Sequence, residues 1–324
     1  MQLGIGLPSF SSDTHVLPAD RFRRYARRAD ELDFAGAWLI EHLCENPNYA
    51  TSLLDPLTTL AVAAGETETI PIGTSVMLLP LRNPVMAAKR AVSLQHLSSR
   101  RLTLGFGTGY VDAEFDAVGV PIEERSDRYL EAIELLRRLF HEEEVTFDGE
   151  FYSVEGFRLE PDLGTPPRIL AGGGGVDTDD GRQMAMSVKR RILHADGWIA
   201  PPRTTETLEK DWNHFASYLR AEGRDPERFD KVALQYIHLV PGASAAQAQR
   251  EQRKIYSGII GGERTVEEAT KSWLTGTVSE IKATLEAYRQ QGFDEVILHP
   301  VTHDPSGLDR QLRLYHDLLA PEFP

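Results

Sequence analysis

The sequence predicts an α/β fold organised as one (β/α)8 TIM barrel spanning residues 1–324. Three observations carry the prediction. Short apolar runs alternate along the chain with segments of helical spacing. The runs are apolar throughout rather than at every second residue, as in a parallel sheet covered on both faces. There are eight of them, the number that closes a barrel. A doubly wound open sheet shares the alternation and is the rival architecture.

The first run, Leu3 to Leu7, stops at Pro8, and a polar loop leads into a helix over 20–29. A second strand is expected over Ala35 to Ile40, and Asp55-Pro56 opens a helix to about Gly65, with proline at its first position. Ile70 to Leu79 reads as the third strand, followed by a Pro84-initiated helix to Leu97. Leu102 to Phe106 is the fourth, with a helix over 125–140. The alternation pauses at 145–157, where Asp148-Gly149 between Thr-Phe and Phe-Tyr signals a hairpin. Arg168 to Ala171, Gly197 to Ile199, Val232 to Val240 and Glu295 to His299 complete the set, with helices over 204–221, 278–291 and 308–319. The polar, glycine-containing stretch 258–276 after the seventh strand is an insertion and a candidate mobile lid.

Composition narrows the function classes. Acidic residues outnumber basic ones by 49 to 35, for a net charge of -14, which disfavours nucleic acid or an anionic membrane surface as a partner. The apolar stretches fall short of a bilayer span, and no basic-then-apolar leader opens the sequence, so a cytoplasmic protein is expected. The single cysteine, Cys44, excludes a disulfide framework and a multi-cysteine metal site.

In such barrels the reactive groups follow the C-terminal ends of the strands. Glu41 and His42 follow the second strand. Histidine exchanges protons near neutral pH and donates hydrogen bonds, although a lone histidine is more often structural. Adjacent strand residues face opposite ways, so if the strand continues, one of the two faces the barrel centre; His42 is the expected one. Gly107-Thr108-Gly109 after the fourth strand lets backbone approach a planar ligand. Gly172 to Gly175 after the fifth can present amides to a phosphate as the chain enters a helix, with Gly173 and Gly174 the expected donors. Lys189, Arg190 or Arg191 is the expected charge partner, and Arg190 is carried as the candidate. His299 ends the eighth strand.

The run Ala37-Trp38-Leu39-Ile40-Glu41-His42 resembles a motif of the luciferase-like monooxygenases and their deazaflavin-dependent relatives. The stretch Ile72 to Glu114, Asp196-Gly197-Trp198 and the Gly276-Thr277 turn resemble the same superfamily. The similarity covers nearly the whole chain and is diluted over about 175–189 and 258–271. It implies a flavin-type oxidoreductase acting on a small-molecule substrate. It also implies a non-prolyl cis peptide at Ser75-Val76 supporting the back of the flavin ring, and a homodimer involving the Pro84 to Leu97 helix. His42 would hydrogen-bond the flavin or steer a proton, and Tyr110 and His299 would line the substrate side.

Two positions depart from the deazaflavin-dependent dehydrogenases of this superfamily. Those enzymes carry a tryptophan a few residues after the motif histidine, near Asn46 here, and an acidic residue directly after Gly-x-Gly, where this chain has Tyr110. The expected cofactor is therefore FMN, or reduced FMN supplied by a separate flavin reductase, with O2 as co-substrate. The deazaflavin coenzyme F420 is the alternative. A metal-dependent hydrolase using His42, His238, His299 and His303 is a further reading, weakened because the first strand lacks the His-x-His pair such enzymes present. A non-catalytic partner subunit would have lost His42 or the glycine loops; this chain has kept both.

Overall fold

The computed structural model describes residues 1–8, 17–44, 46, 53–162, 164–260, 265–302 and 305–323. Its strands are β1 (Gln2–Gly6), β2 (Ala37–Leu39), β3 (Ile72–Leu78), β4 (Leu102–Gly107), β5 (Val145–Asp148), β6 (Ser153–Phe157), β7 (Arg168–Gly172), β8 (Val176–Thr178), β9 (Gly181–Gln183), β10 (Gly197–Ala200), β11 (Asp230–Ile237) and β12 (Glu295–Pro300). Eight of these close a parallel barrel in the order β1-β2-β3-β4-β7-β10-β11-β12, with β12 pairing back to β1. The eight apolar runs are therefore the eight staves, and the open-sheet alternative is excluded.

The helices are α1 (Ala19–Glu31), α2 (Pro56–Glu66), α3 (Pro84–Leu97), α4 (Asp112–Val118), α5 (Arg125–His141), α6 (Met186–Arg191), α7 (Thr205–Ala221), α8 (Ala245–Tyr256), α9 (Val266–Ser272), α10 (Val278–Gln290) and α11 (Pro305–Leu318). Their starts follow from local chemistry. Asp55 caps α2 by accepting the Thr58 N–H, with Pro56 next. Asn83 caps α3 through the Val85 and Met86 N–H groups. Thr277 and Glu280 form a reciprocal capping box on α10. In α1 the buried Phe22, Tyr25, Ala26 and Ala29 recur at helical spacing and join the apolar layer between helices and sheet. Inside the barrel Trp38, Leu170, Ile199, Val232 and Ile297 form a separate cluster.

Several expectations shift. β2 ends at Leu39, so Glu41 and His42 lie beyond the strand and strand alternation does not decide their directions. The helices α4 and α8 and the β8–β9 hairpin are additions. The four glycines lead into that hairpin rather than a helix. The described parts of 258–276 are packed: Ile259, Ala269 and Trp273 are buried against Tyr236 and Tyr256, and α9 carries a Thr265–Glu268 capping box. Those parts are a wall rather than a loose lid.

Candidate active site at the barrel mouth

The chain leaves β2 at Leu39, and the next turn sends two side chains to different partners. Glu41 is buried, accepts the Leu78 N–H at 2.6 Å and pairs with Arg82. Arg82 also reaches Asp55 at 3.0 Å. Burial pushes the Glu41 carboxyl above its usual range while Arg82 opposes the shift. Glu41 thus ties the end of β2 to the exit of β3 and, through Arg82, to the Asp55 cap of α2.

His42 turns to the mouth. Its Nδ1 lies 3.0 Å from Oε1 of Glu114, a fully buried carboxylate that also accepts the Leu43 N–H at 2.5 Å. A carboxylate only accepts, so Nδ1 carries the proton and Nε2 is the accepting nitrogen of the ring. Nδ2 of Asn46 stands 2.7 Å from that Nε2 and donates to the Tyr110 hydroxyl at 2.6 Å. Tyr110, half exposed, meets the His42 ring edge-on with centroids 5.7 Å apart. Asn46 and Tyr110, the two departures from the dehydrogenase pattern, are thus hydrogen-bonded to each other across the histidine.

Beside this group the Ser75–Val76 peptide bond is cis, and the pairing of β3 with β4 slips between Thr74 and Met77. The Thr74 hydroxyl spans the slip, donating to Gly105 O at 2.8 Å and accepting the Gly105 N–H at 2.9 Å. The Val76 side chain explains two glycines: a Cβ on Gly107 would lie 2.6 Å from its Cγ2, and one on Gly172 2.9 Å from its Cγ1. These glycines make room for a valine. Gly109 is required by its φ of +76° and by the Phe115 ring, 3.0 Å from where a Cβ would sit. Thr108 between them is half-buried.

His299 is buried, with Nε2 3.4 Å from Ser75 Oγ and its ring 5.8 Å from Tyr236. Trp273 extends this wall, 4.6 Å from Tyr236. Burial lowers the His299 pKa to about 4, so the imidazole is neutral at physiological pH.

The glycine run after β7 has its peptides fixed alternately. Trp198 Nε1 donates to Gly173 O at 2.7 Å, and the Gly175 N–H donates to Asp211 at 3.0 Å. In a trans peptide C=O and N–H point opposite ways, so the Gly174 N–H is directed away from Trp198. Gly173 has a φ of +124°, and a Cβ there would touch Arg191 Nη1 at 3.5 Å and Val188 Cγ1 at 3.8 Å. Arg191 is buried, lies over the Tyr129 ring at 5.2 Å and touches Ser126 Oγ at 3.3 Å; its Nε has no partner. Arg190, the expected charge partner, is exposed, and its neighbour Arg191 is the one beside Gly173. A buried guanidinium with an orphaned N–H beside a glycine fits a cofactor phosphate.

A family model described as luciferase-like monooxygenase matches residues 1–296. The chain belongs to this family. The F420-dependent glucose-6-phosphate dehydrogenase of Kineococcus radiotolerans is 27% identical over 304 residues, covering 87% of each chain. The 4-hydroxyprotoasukamycin monooxygenase of Streptomyces nodosus subsp. asukaensis is 25% identical, covering 98% of this chain and 92% of its own. Among solved structures, monooxygenase RslO1 from Streptomyces bottropensis superposes with a TM-score of 0.80 at 22% identity, over the whole of both chains. Luciferase-like relatives thus include both flavin monooxygenases and F420-dependent dehydrogenases, and the chain is an oxidoreductase of this flavin-type family.

In this luciferase-like barrel His42 thus meets Tyr110, His299 meets Ser75, and Arg191 stands beside Gly173. The histidines of the hydrolase reading have separate partners: His42 with Glu114, His299 with Ser75, and His238 with Val301 O at 2.6 Å; His303 lies outside the described residues. Among the described residues no helix is long and apolar enough to cross a membrane. Glu114 carries no separate signal in the sequence, because its role depends on the fold of α4 against the β2 exit. Asp211 does: it stands on the apolar stripe of α7 between Leu208 and Phe215, where a carboxylate needs a buried partner.

Proposed function

We propose that the chain oxygenates a small organic substrate using reduced FMN and O2, the reduced cofactor arriving from a separate flavin reductase, with residues 1–324 acting as one barrel domain. The Asn46–Tyr110 pair carries this reading. The pattern of the deazaflavin-dependent dehydrogenases adds an acidic residue at the rim, a second proton-exchanging group beside the motif histidine. Here the rim positions are an amide and a phenol bound to each other, and the carboxylate in contact, Glu114, is spent behind the ring on Nδ1 and on Leu43 N–H. Such an uncharged rim suits a neutral carbonyl or aromatic substrate.

When bound, reduced FMN supplies the electrons that activate O2. The protein's own work is then orientation, water exclusion and one proton. Arg191 and the Gly174 N–H would hold the phosphate. The buried rings of Trp273, Tyr236 and His299 pack into a wall that would keep water from the mouth. His42, steadied by Glu114, would pass a proton at Nε2 once substrate displaces Asn46.

F420-dependent dehydrogenation is the second reading, favoured by the relatives of that name and by the same His42–Glu114 dyad, which can accept a hydroxyl proton. The two separate in one pair of assays: O2 uptake and product formation with enzymatically reduced FMN, and anaerobic reduction of F420 by primary and secondary alcohols. Oxygenated product stoichiometric with FMN oxidised is expected. Alcohol-driven F420 reduction with no coupled O2 uptake overturns the monooxygenase reading.

A further inference from the structure

The β8–β9 hairpin lies between the two halves of the anion site: Gly173 and Gly174 precede it and Arg191 follows it on α6. Two short strands closed by Thr178–Gly181 make few contacts of their own, and a ribbon of this size is marginal without an anchor. The anchor is electrostatic. Arg182 on β9 presents its guanidinium fork to Asp211 on α7, Nε to Oδ1 and Nη2 to Oδ2, both at 2.8 Å, with the Asp211 side chain fully buried and that of Arg182 only 6% exposed. Nη1 also reaches Asp177 across the ribbon at 3.1 Å. Oδ1 of Asp211 accepts the Gly175 N–H as well, so one carboxylate grips both the glycine run and the returning strand. His214, further along α7, adds a contact to Arg182 O at 3.2 Å.

The approach is close enough to exclude side chains. A Cβ on Gly174 would lie 2.5 Å from Asp211 Oδ2, and one on Gly175 2.8 Å from Oδ1. Gly174 is therefore set by the carboxylate beneath it, and Gly175 by the carboxylate together with Gln183 O, 2.5 Å from where its Cβ would sit. With β9 fixed, buried Met184 and the short α6 have little freedom, and Arg191 arrives beside Gly173.

We propose that the Arg182–Asp211 pair is a positioning device for the cofactor phosphate: it fixes the hairpin so that the Gly174 N–H and the Arg191 guanidinium converge on one anion. This rests on the reading of Gly173 and Arg191 as the phosphate site. Breaking the pair lets the glycine run and α6 move independently, and the loss falls on the phosphate rather than on the ring.

The test compares dissociation constants, read from fluorescence quenching, for FMN and riboflavin, or for phosphorylated and phosphate-free deazaflavin, whichever pair the wild type binds. A wild type that binds both members equally removes the phosphate site itself. Given a wild-type preference, D211N, which keeps an acceptor for the Gly175 N–H, and R182Q should each weaken the phosphorylated ligand about tenfold and leave the phosphate-free one within about twofold. Equal loss for both ligands, or no loss, in a folded variant overturns the positioning role. Should either variant fail to fold, R182K, which keeps the charge but not the fork, decides by the same ratio: preference reduced supports the role, preference retained refutes it.

Discussion

Replacing Glu114 by glutamine isolates what the carboxylate's charge does for His42. The amide oxygen can stand where Oε1 stands, still accepting from Nδ1 and from the Leu43 N–H, and the new amide nitrogen takes the place of Oε2, which has no partner now. Shape and hydrogen-bond count are preserved; the negative charge is lost. A hydrogen bond to a charged group is worth roughly 1.5–3 kcal/mol and a neutral one roughly 0.5–1.5, so about 1.4 kcal/mol of support for a protonated imidazole disappears. That is about a tenfold fall in any step in which His42 carries the proton. The assay is turnover against pH for wild type, E114Q, H42A and the double variant, with thermal melting to confirm folding. If His42 and Glu114 act as a unit, the double variant is no slower than H42A. E114Q turning over within about twofold of wild type, in a folded protein, refutes proton transfer through His42.

Four further outcomes are expected. H42A should lose at least about tenfold in turnover, or in product per flavin oxidised, with its melting temperature little changed; full activity makes His42 structural. G173D should weaken binding of the phosphorylated cofactor, since it puts a carboxylate beside Arg191 and a Cβ at a φ of +124°; unchanged affinity in a folded variant removes the phosphate assignment. Glu295, at the barrel floor against Trp38, has its pKa raised by burial to about 7. A carboxyl held above its unfolded value keeps its proton in the folded state, so it costs stability as pH rises from about 4.5 to about 7 and no more beyond. E295Q, whose amide oxygen can still accept from Trp38, should therefore raise the melting temperature more at pH 8 than at pH 5, and an equal effect at both refutes the shift. Finally, α3 exposes Met86 and Leu97, and a homodimer through this helix should be seen by sedimentation at micromolar concentration; a monomer counts against it.

The sequence alone determined the barrel and the whereabouts of its mouth. Apolar runs such as Ile72 to Leu78 and Val232 to Ile237 are local signals, because a strand covered on both faces is predominantly apolar rather than apolar at every second residue, and helix starts at Pro56 and Pro84 are written by their own caps. Residues that follow a barrel strand lie at the mouth whatever they touch, so His42, Tyr110, Gly173 and His299 could be named in advance. Their partners could not. Glu114 reaches His42 across 72 positions, Ser75 reaches His299 across 224, and Arg182 reaches Asp211 across 29. Such contacts depend on how α4, the β3 slip and the hairpin come to rest on their neighbours, a property of packing that no periodicity encodes. The same packing decided between Arg190 and Arg191, adjacent residues of one type on one helical turn: one points to water and the other over Tyr129 toward Gly173. It also gave Gly107 and Gly172 to Val76, because a glycine's vacancy is visible in a sequence, but what fills it is settled only when the strands close.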